Sequence, residues 1–177
     1  MFIFIASKMH IKYTDSNPSK EAMRLTRFSD IGLRVLMYLV RSDREQPPIT
    51  VAEIATQFDV PKNHLVKVVG LLAKCGWLTA TRGRTGGLKL NTAPAALKLG
   101  VVLRALEGEE ELIDCDTQVC TLRTDCLLRS ALRHAQAEFY VAMDRYTLAD
   151  ITGGKTGAQI STLHIAFLRQ FQEKQIA

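Results

Sequence analysis

No stretch of this sequence approaches the roughly 18 uninterrupted apolar residues that a membrane-spanning helix needs. The apolar opening MFIFIA covers only residues 1–6 and has no basic residue ahead of it, so it also lacks the long apolar region and cleavage site of a secretory signal. The chain therefore reads as cytoplasmic, with no membrane partner. Cysteine is scarce: there are four in 177 residues, and three of them fall between positions 115 and 126. A reducing cytoplasm disfavours structural disulfides and turns such a cluster toward metal or redox chemistry. No nucleophile–base constellation, phosphate-cradling glycine loop or metal-hydrolase motif is present, so the chain does not read as an enzyme.

Two further absences concern charge. Residues 61–89 carry Lys62, Lys67, Lys74, Arg82, Arg84 and Lys89 and not one acidic side chain. Residues 107–116 carry Glu107, Glu109, Glu110, Glu111, Asp114 and Asp116 and not one basic side chain. The net charge of +5 is thus concentrated in a basic middle that precedes an acidic hinge. A basic stripe is the electrostatic footprint of a polyanion partner.

The hydrophobic pattern predicts a mainly α-helical fold with a small β-hairpin. Residues 1–22 are polar turn chemistry after residue 6 and read as a disordered extension, with Met23 opening the better-patterned segment. Ile31, Val35, Leu36, Leu39 and Val40 form one helical face, with Ser29 or Asp30 as the expected cap. Thr50 and Glu53 have the spacing of a capping box, and the short helix they open offers Ala52, Ile54, Ala55 and Phe58 for burial. Pro61 suits the first position of the next helix, which buries Leu65, Val68, Val69 and Leu72 and ends at Gly76. Two extended runs, 77–81 and 88–90, flank RGRTGG and predict a hairpin with a basic tip.

Helix, capped short helix, tight turn, helix and basic hairpin are the parts of a winged helix-turn-helix, which we assign to residues 23–108. Its second helix would present Lys62, Asn63, His64 and Lys67 to double-stranded DNA. Lysine can reach guanine acceptors and asparagine can pair with adenine. Arg82 and Arg84 at the wing tip suit phosphates or a narrow minor groove.

Beyond the cysteine loop at 109–127, a dimerisation helix and a short following segment are expected over 128–152. Leu128, Leu132, Ala135, Phe139, Ala142 and Tyr146 alternate steps of four and three, the seam of a helix that packs on a partner helix and predicts a homodimer. Residues 153–157 read as a linker within a 153–177 tail, where Ile160, Leu163, Phe167 and Phe171 fall at helical spacing without an evident role.

The cysteines have the spacing C-x4-C-x5-C. Structural zinc sites pair cysteines more closely and close with four ligands, whereas iron–sulfur clusters accept wider loops. Spacing favours iron–sulfur and leaves open a disulfide switch or a coincidental group. Cys75 reads as a small buried apolar residue. Asp30, on residues alone, reads equally as a helix cap.

MRLTRFSDIGLRVLMYL (23–39), the run from Pro61 to Leu90, LRALEG (103–108), the three-cysteine loop and YTLADI (146–151) together resemble the winged-helix iron–sulfur transcriptional regulators, in particular their nitric-oxide-sensitive repressors. The resemblance spans residues 23–151. It implies a homodimer that grips palindromic operator DNA while it holds a cluster and lets go when nitric oxide attacks. It implies that Cys115, Cys120 and Cys126 are cluster ligands, that Asp30 of the other subunit completes the set, and that Arg34 supports it. Cluster-assembly regulators of the family carry a histidine three residues after the last cysteine and hold a 2Fe–2S cluster. Arg129 stands there instead, so a 4Fe–4S cluster is favoured over 2Fe–2S. The competing readings are a relative that senses redox state, iron or cluster supply through the same cysteines, and a cluster carrier.

Overall fold

The computed structural model describes residues 25–40, 48–83, 86–108, 111–113, 115 and 120–176. The extension 1–22 and wing residue Arg84 lie outside them. The described part is mainly α-helical with one small antiparallel hairpin, as the periodicity predicts. No helix among the described residues is long and apolar enough to cross a membrane.

Helix α1 (Arg27–Leu39) buries Ile31, Val35, Leu36, Tyr38 and Leu39. Its cap is neither Ser29 nor Asp30. Thr26 takes that role and accepts from the Ser29 amide at 3.2 Å. Thr26 is itself held from the far end of the fold, since its amide donates to Glu107 Oε1 at 2.9 Å. Ser29 faces inward with no exposure, and Asp30 lies one turn inside the helix.

Helix α2 (Val51–Gln57) starts at Thr50, whose hydroxyl accepts from the Glu53 amide at 3.1 Å. The Glu53 carboxylate turns the other way, into the core, where it is 2% exposed; Ala52 is exposed in its place. The tight turn after α2 places Asp59 at φ 49°, a left-handed conformation that aspartate tolerates better than most side chains. Helix α3 (Lys62–Lys74) then buries Leu65, Val68, Val69 and Leu72, the four positions its period predicts. Each buried side chain of that size contributes roughly 1.5–3 kcal/mol. Gly76, at φ 77°, turns the chain out of the helix.

Strands β1 (Leu78–Ala80) and β2 (Leu88–Leu90) pair antiparallel, with Leu78 opposite Leu90 and Ala80 opposite Leu88. A third extended residue joins them: Leu88 donates to the Ile49 carbonyl at 2.7 Å, which ties the wing to the segment that enters α2.

Helix α4 (Leu99–Glu107) crosses α1 at Gly32, where an added Cβ would sit 2.7 Å from the Leu106 methyls. Helix α5 (Leu127–Met143) runs back along α4, and the pair is closed at its base by Leu99 donating to the Tyr146 carbonyl and Leu148 to that of Leu97, both at 2.9 Å. The crossing is tight at Gly100, where an added Cβ would overlap the Tyr140 carbonyl and Asp144. Arg104 donates to Asp144 Oδ2 at 2.9 Å and lies 5.2 Å over the Tyr140 ring.

Helix α6 (Leu148–Ile151) opens with a capping box between Thr147 and Asp150. The linker expected at 153–157 is absent: Gly154, at φ 53°, begins a continuous helix α7 (Gly154–Ile176). Its buried stripe is Gly157, Ile160 and His164, with Leu163 pointing outward.

Candidate nucleic-acid interface and cysteine loop

Burial of Leu65, Val68, Val69 and Leu72 fixes which face of α3 meets solvent. Lys62, Asn63, His64 and Lys67 are all exposed on that outward face. Helix α3 lacks a side-chain cap, so the amides of its first turn add positive potential where Lys62 and Asn63 stand. Val66, 59% exposed, sits among them. An apolar residue out of phase with the buried stripe is the signal that marks it in the sequence, and a thymine methyl is what such a side chain can meet in a major groove. Arg82 is exposed on the wing, and Gly83 at φ 112° carries the reversal beyond it. Lys62, Asn63, His64, Lys67 and Arg82 are thus all exposed, the first four on the outward face of α3.

The cysteine loop leaves α4 at Gly108, at φ 77°, and returns at Cys126, the residue that precedes α5. None of the four cysteines is in a disulfide. Cys115 and Cys126 are half-buried and Cys120 is exposed; Cys75 is half-buried, not enclosed as expected. No side chain caps α5, so its first amides favour negative charge beside Cys126. Arg129, in place of a histidine ligand, forms a two-pronged pair with Glu111, Nε to Oε2 at 2.7 Å and Nη2 to Oε1 at 2.9 Å. A guanidinium offers donors only and cannot ligate iron, and here it binds the start of the loop to α5. Glu111 is a working residue that a run of acidic letters did not single out.

Asp30 is exposed and accepts from Arg34 Nε at 2.9 Å, while the Arg34 guanidinium lies 5.7 Å over the Phe58 ring. Both side chains line an open groove with Leu25, Ile31 and Val60. As a residue that caps nothing, Asp30 has its carboxylate available to a ligand from outside.

The donor chemistry fits an iron–sulfur cluster: three reduced thiols, one of them at an uncapped helix start, and an accessible carboxylate. Among the described residues, however, no three His, Cys, Asp or Glu side chains converge as a metal site. Cys115, Cys120 and Cys126, all described, are not drawn together into such a group.

Most of the seam predicted for the helix after the cysteine loop is exposed, although Leu132 is half-buried and Tyr146 lies beyond the end of α5. Leu128, Phe139 and Tyr146 are 61%, 43% and 53% exposed, and Tyr140 is the buried residue of the helix among those described.

Comparison with known proteins gives these features a family. The Rrf2 family model, described as an iron-dependent transcriptional regulator, matches residues 25–154. A Streptomyces coelicolor protein named HTH-type transcriptional repressor NsrR is 41% identical over 136 residues, which cover 76% of this chain and 92% of that one. Among solved structures, IscR of T. potens superposes with a TM-score of 0.56 at 22% identity over 72% of this chain and 85% of its own. CymR, the global cysteine regulator of B. subtilis, does so with 0.57 at 23% identity over 73% and 96%. These two likenesses show the fold. The family match takes in α1 through α6, the wing and the cysteine loop, and the chain belongs to the Rrf2 family of transcriptional regulators.

Proposed function

We propose that this protein is a DNA-binding transcriptional repressor that senses nitric oxide through an iron–sulfur cluster, held by a homodimer on palindromic operators and released from them when the gas reacts. The name and 41% identity of the Streptomyces relative support the repressor part. The observation that carries the sensing part is Asp30: it caps no helix, stands exposed beside Arg34 and lines an open groove with Leu25, Ile31 and Val60.

In this reading Cys115, Cys120 and Cys126 of one subunit and Asp30 of the other hold a 4Fe–4S cluster. When bound, the cluster supplies iron that reacts with nitric oxide. Carboxylate oxygen is the harder donor and the poorer match to such iron than thiolate, so Asp30 is the weakest of the four attachments. Arg34 orients that carboxylate when it is engaged and pairs with it when it is not. The exposed α5 seam joins the two subunits, and the Asp30 attachment ties one reading head to the other chain's loop. Two α3 helices on successive major grooves need a spacing of about 34 Å. A loose tie lets that spacing drift, and a loss of ~3 kcal/mol weakens binding over a hundredfold.

The test is anaerobic purification followed by iron, acid-labile sulfide and absorbance analysis, with a nitric oxide titration run beside a gel shift on duplex selected by the protein. Protein devoid of iron and sulfide, or colourless and zinc-loaded, overturns the sensing part. Cluster-bound protein that ignores duplex DNA overturns the repressor part.

A further inference from the structure

The C-terminal helix has no part in the function proposed above, and the family match ends at residue 154, where α7 begins. Yet α7 does not trail away. Ile160 and His164 are 6% and 4% exposed, packed against the helix-turn-helix of the same chain. There His164 Nδ1 meets Glu53 Oε1 at 2.5 Å, and the Tyr38 hydroxyl donates to the same oxygen at 2.8 Å. One carboxylate oxygen thus joins three helices: Tyr38 from α1, Glu53 from α2 and His164 from α7. The Tyr38 and His164 rings also meet edge to face, with centroids 6.1 Å apart. Burial and then the Glu53 carboxylate push the Tyr38 phenol well above its ordinary range, so it remains a hydrogen-bond donor.

We infer that α7 is a strap that positions α2, the first helix of the helix-turn-helix, for DNA, with His164 as its positioning residue. Helix α2 has only seven residues, too few to stand on its own hydrogen bonds. Its buried apolar side chains are Ile54 and Ala55, so Glu53 is a large share of what anchors it. A buried carboxyl group is costly unless partners satisfy it, and of the two partners it has among the described residues one, His164, comes from α7. In a helix-turn-helix the first helix crosses the DNA backbone and sets the entry of the second. The strap follows α5 and α6, so the half of the chain that bears the exposed seam also grips the reading head from within one subunit. This inference rests on the DNA-binding reading and is independent of the cluster.

The experiment compares the full-length protein with His164→Ala and His164→Asn, the latter retaining an N–H group at the position of Nδ1. Two quantities are read: amide hydrogen exchange at Ile54, Phe58 and Val60, whose amides are bonded within and just after α2, and affinity for duplex selected by the wild type. His164→Ala should speed exchange at these amides roughly tenfold or more while the α3 and α4 amides hold, and should weaken duplex binding by roughly tenfold. His164→Asn should recover most of both. Unchanged exchange in α2, acceleration spread evenly over all helices, or loosened α2 with intact affinity would each overturn the positioning role. If the wild type binds no duplex at all, the DNA-binding reading fails, and with it the positioning of α2 for DNA.

Discussion

Arg129 stands three residues after the last cysteine, and the pair it makes allows a quantitative test. Its two bonds to Glu111 are short and charge-assisted, and the two side chains are 21% and 24% exposed. An exposed ion pair contributes at most about 1 kcal/mol. A two-pronged, largely shielded one contributes more, so we expect about 1–2 kcal/mol toward ordering the loop. Arg133 approaches Glu111 at 3.7 Å and can take up part of the loss, which favours the lower end. That energy corresponds to roughly a 5–30-fold change in the open population of the loop. The assay is a double-mutant cycle with Glu111→Gln, Arg129→Gln and both together, read by amide exchange at residues 111–113 and by the anaerobic rate of iron loss to a chelator. Each single variant should raise both rates by that factor, and the double variant should be no worse than either. Thermal stability should move by less than about 0.5 kcal/mol, because the pair lies outside the core. If the two effects simply add, the pair is not coupled and the anchoring role of Arg129 is refuted.

Gly100→Ala should destabilise the protein by about 2–3 kcal/mol, because a methyl there overlaps the Tyr140 carbonyl and Asp144; a melt should fall by roughly 4–12 °C. Lys67→Ala should weaken binding to all duplexes alike and lower the slope of log affinity against log salt by about one, whereas Asn63→Ala should relax base preference at one position per half-site, by ~1–3 kcal/mol. Thr26→Ala should lower stability by ~1 kcal/mol as the loss of a true cap, while Asp30→Ala should stay within ~0.5 kcal/mol in urea titrations yet release iron faster. Equal stability loss in Thr26→Ala and Asp30→Ala would return Asp30 to a structural role.

What the sequence shows plainly is whatever its own neighbours decide. Leu65, Val68, Val69 and Leu72 share a helical stripe, so α3 and its reading face follow from periodicity alone. The wing follows from two alternating runs around glycines, and its strands lie within a residue or two of the expected ends. The misreadings at α1 and α2 involve partners distant along the chain. Thr26 caps α1 with help from Glu107, 81 residues away, and nothing near Ser29 or Asp30 reveals it. Thr50 behaves as its capping-box letters predict, but the Glu53 side chain answers to Tyr38 and His164, the latter 111 residues on. Gly153 and Gly154 look like a linker, yet only a single left-handed turn at Gly154 is needed before α7 begins. A histidine in a helix carries no sign of burial until the fold supplies a carboxylate.

The acidic hinge shows what charge alone conceals. Read as a run, Glu107 to Asp116 looks like a solvated face. In the fold its described members hold separate posts: Glu107 binds Thr26 at the start of the helix that carries Asp30, and Glu111 binds Arg129 on the helix that carries the exposed seam. The start of the cysteine loop is thus tethered both to the reading head, through Glu107, and to α5, through Glu111. A change in the loop therefore has direct purchase on both elements within one chain, before any link between subunits is counted. His164 adds a further hold on the same head from the C-terminal side. A head held at Thr26 and at Glu53 is braced from two parts of the chain distant in sequence.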